Sequence, residues 1–80
     1  MLPDKDGCVR VRANIGGEVE IKATVGQLFY SGQALAVVEG DHEIESLSVR
    51  RVSKVVEILV EDGTEVEAGA LLMVVQEIEE

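Results

Sequence analysis

Five side chains near the middle of the chain could support acid–base or metal chemistry: Glu39, Asp41, His42, Glu43 and Glu45. His42 is the one histidine of the 80 residues. Asp41 and Glu43 flank it and would favour its protonated form, so one reading is a contact that switches near neutral pH. A second reading is a metal ligand completed by Asp41, Glu43 or Glu45. One histidine and no cysteine cluster make a poor donor set, and no metal site is expected. The reading the composition favours is an exposed turn histidine without a chemical role. No nucleophile elsewhere has an obvious base, and Gly16-Gly17 is not a phosphate-cradling G-x-G-x-x-G loop. No catalytic residue is therefore assigned, and the chain is not read as an enzyme. Cys8 stands alone, which excludes an internal disulfide and a multi-cysteine metal site. It reads as a small strand residue rather than a reactive thiol, and it fits a reducing compartment.

The elements that must position the central cluster are short strands. Val9, Val11 and Ala13 alternate with Arg10, Arg12 and Asn14; Val19, Ile21 and Ala23 alternate with Glu18, Glu20 and Lys22. Period-two alternation marks a strand with one buried face. Gly16-Gly17 breaks the chain between these two. Gly26 and Gly32 bracket a short piece holding both aromatics, Phe29 and Tyr30, before the apolar run Ala34 to Val38. Beyond the central turn, Ile44, Leu47 and Val49 form a further segment, interrupted by Arg50-Arg51. Val55 to Val60 is rich in β-branched residues and ends at the turn signal Asp62-Gly63. Val66 lies in a short connection, and Gly69 precedes Leu71 to Val75. No segment keeps a helical stripe for three turns. Regular turn signals between short strands predict an all-β barrel or sandwich.

The chain also repeats itself. A shift of 37 residues matches Val19-Glu20-Ile21 to Val56-Glu57-Ile58, Gly26 to Gly63, Gly32 to Gly69, Leu35 to Leu72 and Val37-Val38 to Val74-Val75. Eight of the 20 pairs from Val19/Val56 to Val38/Val75 are identical, with no gap. Upstream, Val11 and Ala13 fall one residue out of phase with Leu47 and Val49. One half is expected to have gained or lost a residue near Gly16-Gly17. The prediction is a single domain over 1–80, with halves at about 9–39 and 44–76 and a hairpin turn at 40–43.

Charge bounds the partners. The formal net charge is −9, and all of it falls in residues 39–80, which hold twelve acids and three bases, while 1–38 balance. Phosphates would be repelled, so nucleic acid is not an expected partner. An acidic surface of this kind keeps a small domain soluble or steers a basic protein surface. No apolar run approaches the ~18 residues of a membrane span. The first residues lack the basic start and apolar run of a signal peptide, and a cytoplasmic location is expected.

These features resemble the biotinyl/lipoyl attachment (carrier) domains, whose halves each carry a pattern V-x-x-x-x-V-x-x-G-x-x-V-x-x-G-x-x-L. Val56 to Leu72 fits that pattern closely and Val19 to Leu35 less well. The resemblance implies a flattened barrel-sandwich hybrid of two quasi-symmetric four-stranded sheets. It also implies a lysine at the tip of the hairpin joining the halves, where biotin or lipoate is attached. Counting ten residues from Gly32, as in the family pattern, reaches His42; eleven more, where the family has a glycine, reach Ser53. His42 thus stands at the carrier-lysine position, flanked by Asp41 and Glu43. Glu39-Gly40-Asp41-His42 is similar to the family's Glu-x-Asp-Lys lipoyl variant.

The family's linkage is an amide to a lysine amine on a flexible stem. An acyl-imidazole hydrolyses readily, so no cofactor is expected on this chain. Lys5, Lys22 and Lys54 lie away from the tip. The expected function is that of a degenerate carrier domain, unmodified, acting as a protein-docking or accessory module. The alternatives are a true biotin or lipoyl carrier of a carboxylase, decarboxylase or dehydrogenase system, and a lipoyl-like interaction domain of membrane-fusion type.

Overall fold

A computed structural model describes residues 7–78. Lys5 and the tail residues Glu79 and Glu80 lie outside them. Among the described residues eight strands follow one another: β1 (Cys8–Arg12), β2 (Gly17–Ile21), β3 (Leu28–Phe29), β4 (Ala34–Glu39), β5 (Ile44–Ser48), β6 (Ser53–Ile58), β7 (Glu65–Val66) and β8 (Leu71–Glu77). They build two four-stranded antiparallel sheets, ordered β1-β8-β6-β3 and β5-β4-β2-β7. Advancing each strand of one order by four places gives the other, so the two halves are related by a pseudo-two-fold. Each sheet contains strands from both halves. The molecule measures 39 × 28 × 17 Å, which is the flattened barrel-sandwich expected from the sequence.

The alternating residues meet between the sheets. Val19, Leu35, Ala36, Val38, Val55, Leu72, Met73 and Val75 are buried. Phe29 is also buried, while Tyr30 beside it is exposed. With few aromatics, the core gains its hydrophobic stabilisation from many aliphatic side chains. Sizes compensate across the pseudo-two-fold: Ala36 is matched by Met73, Ala13 by Val49, and Val66 by Phe29. The turns of the two copies are set by their glycines. Gly26, Gly32, Gly63 and Gly69 all have φ between 86° and 92°, a region that residues with a Cβ avoid.

The register between the halves differs from the gapless match. Val19 pairs with Val38 in β2–β4, and it is Val55, not Val56, that pairs with Val75 in β6–β8. The ladder slips between Val55 and Glu57, leaving Val56 as the extra residue of a β-bulge, 38% exposed. The structural counterpart of Val19 is therefore Val55; both are fully buried. The phase change lies in the second half at Val56, rather than in the first near Gly16-Gly17. Upstream of it the halves are offset by 36 residues. That offset brings Val11 onto Leu47 and Ala13 onto Val49, the pairs that a shift of 37 leaves out of phase.

Candidate functional site

A hairpin joins β4 to β5. Glu39 pairs with Ile44, and the Gly40 N–H donates to the Glu43 carbonyl at 2.8 Å. Asp41 and His42 occupy the two positions between, both exposed, as is Glu43. None of these three side chains makes a hydrogen bond or ion pair within the described residues. Ile44 beside them is 68% exposed. Among the described residues, no three of His, Cys, Asp and Glu gather as metal ligands would.

Glu45 is not part of the exposed tip. It is half-buried, and its carboxylate accepts two hydrogen bonds from Asn14: from the backbone N–H at 2.9 Å, and from the side-chain amide. Asn14 lies in the loop from Ala13 to Gly16 that joins β1 to β2, so this loop grips the base of the hairpin. Gly17 at the start of β2 and Gly40 in the hairpin permit the approach. A Cβ on Gly17 would overlap the Glu39 carbonyl, and one on Gly40 would sit 2.9 Å from the Gly16 carbonyl and 3.6 Å from the Ile15 side chain. In the sequence Gly16-Gly17 reads only as a break and Asn14 only as an outward strand residue. The available signal was asymmetry: the counterpart of Gly17 is Ser53, so the glycine pair is not repeated.

Ser53 opens β6. Its side chain is buried, 1% exposed, and its hydroxyl donates to the Arg51 carbonyl at 2.8 Å. Lys22 lies one residue past β2, 3.2 Å from the Glu20 carboxylate, and Lys54 lies on β6 in the sheet that does not hold the hairpin. Neither is on the tip. Cys8 is half-buried on edge strand β1.

Charge separates by sheet as well as by half. The strands of the hairpin's sheet hold five acids and no base, and those of the other sheet hold three bases and two acids. Glu39, Glu18 and Glu65 stand directly opposite one another on β4, β2 and β7, a row of like charges across three strands. Like charges facing each other oppose folding, so local packing does not account for the row. Its counterpart on the other sheet is Gln76, Lys54 and Leu28. An open groove follows the acidic row, lined by Glu18, Glu39, Asp41, Glu65 and Glu67 together with Gly16, Gly17 and Gly40. His42 does not line it.

Comparison with known proteins agrees with this geometry. The family model described as biotin-requiring enzyme matches residues 9–75. A solved structure, reported as a single-chain, multi-domain long-chain acyl-CoA carboxylase, matches all of this chain with a TM-score of 0.83 and 26% identity. The chain spans 8% of that protein's length. No curated protein matches the chain in sequence.

Proposed function

The chain belongs to the family of biotinyl/lipoyl carrier domains, and from that premise we propose that it carries no cofactor and works as a docking or accessory module for a protein partner. Domains of this family carry a group and are not themselves catalytic. The observation that carries the proposal is His42 at the hairpin tip, where the family's attachment chemistry needs a primary amine. Biotin or lipoate supplies a carboxyl group that becomes a stable amide on lysine. Imidazole gives no such amide, so the residues of this hairpin do not fit either group. The partner is a cytoplasmic protein that presents a basic surface to the hairpin and to the row Glu39, Glu18 and Glu65. Opposed charge of this kind speeds encounter and selects partners more than it adds affinity.

The similarity to part of a carboxylase favours a second reading, a true biotin carrier modified on a lysine away from the tip. Intact mass after co-expression with biotin and lipoate ligases separates the two. Unmodified wild-type chain supports the docking reading, and a biotinyl or lipoyl adduct overturns it. Partner capture tests docking directly. Neutralising Asp41 and Glu43, with Glu45 left intact, is expected to release a partner that wild-type protein retains. Unchanged capture removes the hairpin from the contact.

A further inference from the structure

We propose that Asn14 and Glu45 form a latch that fixes the hairpin tip to the β1–β2 loop, making the two a single presented surface. Both are positioning residues. The inference rests on reading the hairpin as the working end of the domain.

Three observations carry it. The Glu45 carboxylate is held at two points, by the Asn14 N–H and by its side-chain amide, which fixes direction as well as distance. Hydrogen bonds to a charged acceptor are stronger than neutral ones. The loop then closes on the hairpin backbone, because glycine at 17 and at 40 leaves no Cβ between them. A two-residue tip whose side chains make no hydrogen bond or ion pair among the described residues thus has its base held from one side.

The third observation is that the fold does not require this arrangement. Glu45 pairs with Val38, and its counterpart Val9 pairs with Val75. Arg50 is the counterpart of Asn14, and Ser53 that of Gly17. At that other end no carboxylate–amide pair can form from Val9 and Arg50. The space is a crevice of about 160 Å³ lined by Val9, Val11, Leu35, Val49 and Val75, among others. Two equivalent ends of one architecture are closed differently, and the latched end is the one that bears the tip.

Amide hydrogen exchange tests the latch without any partner. In Glu45→Ala the Asn14 and Gly40 amides are expected to exchange about tenfold faster, the loss of roughly one charge-assisted hydrogen bond, while Val19 and Val55 amides stay as in wild type. Asn14→Ala, which keeps the backbone N–H bond to Glu45, should speed Gly40 less than Glu45→Ala does, and the double variant no further than Glu45→Ala alone. Glu45→Gln keeps one acceptor and should restore part of the Asn14 protection. Unchanged Gly40 exchange, additive single variants, or equal acceleration at Val55 would each overturn the latch. A second readout is ligase labelling in a His42→Lys background. Removing the latch is expected to lower kcat/KM about tenfold or more, because misorientation of a reacting group costs rate. Labelling at an undiminished rate also overturns the proposal. If His42→Lys is itself not labelled, the functional reading of the hairpin fails, and hydrogen exchange alone decides the latch.

Discussion

The two ends of the barrel are equivalent by topology and different in construction. β4 carries Leu35, which lines the crevice, near one end and Glu39, which leads into the hairpin, at the other. At the hairpin end Glu45 reaches Asn14, and Gly17 lets the backbone of Glu39 close in. At the other end Val9, Arg50 and Ser53 hold the same places, and a crevice remains. The repeated residues, which are the core apolar positions and the turn glycines, build the barrel. The unrepeated ones are where the two ends differ.

Core truncation should divide the ends most strongly. Leu72→Ala and Leu35→Ala each remove a fully buried leucine, at a cost of about 2–5 kcal/mol. Leu72, at the closed end, is expected to cost more, because Leu35 borders a space that is already open. Equal losses in denaturant unfolding would break the comparison. Next comes Gly17→Ala, expected to destabilise by about 3 kcal/mol, the upper part of the overpacking range, since the new Cβ meets the Glu39 carbonyl. Ser53→Ala at the counterpart position loses one hydrogen bond, about 1 kcal/mol. A tolerated Gly17→Ala would mean that the hairpin is not closed against the loop.

The bulge gives a sharper test of how the halves correspond. Val55→Ser exposes a buried site to a polar group and should cost about 2 kcal/mol, whereas Val56→Ser should stay within about 0.5 kcal/mol. The reverse order would restore the gapless match of Val19 to Val56. The smallest effect belongs to the acidic row. Glu18→Gln removes the middle charge and should stabilise by a few tenths of a kcal/mol at low ionic strength. Added salt should erase the gain by screening. A salt-independent loss of stability would show that Glu18 has a favourable partner in the fold.

Much of the architecture was legible in the chain. Alternating valines and glycines recurring at matched positions were enough for short strands and two halves; the eight-strand layout and the count to His42 came only through the resemblance to the family, since the two-residue strands at Leu28 and Glu65 read as connections. The bulge was not legible, because Val55 and Val56 are the same residue and only the β6–β8 ladder decides which faces inward. The latch was not legible either: Asn14 and Glu45 are 31 residues apart, and neither belongs to the repeat. The acidic row needed two cross-strand registers at once. From the sequence, charge could be assigned only to halves, and the sheets interleave those halves.

The central claim is that His42 occupies the carrier position of an otherwise intact carrier hairpin. It is tested most directly by intact mass and peptide mapping of His42→Lys, alone and combined with Ser53→Gly, after co-expression with biotin and lipoate ligases. The account predicts a single biotinyl or lipoyl adduct, mapped to position 42 and absent from the wild-type chain. No labelling of either variant, or labelling at Lys22 or Lys54, would contradict it.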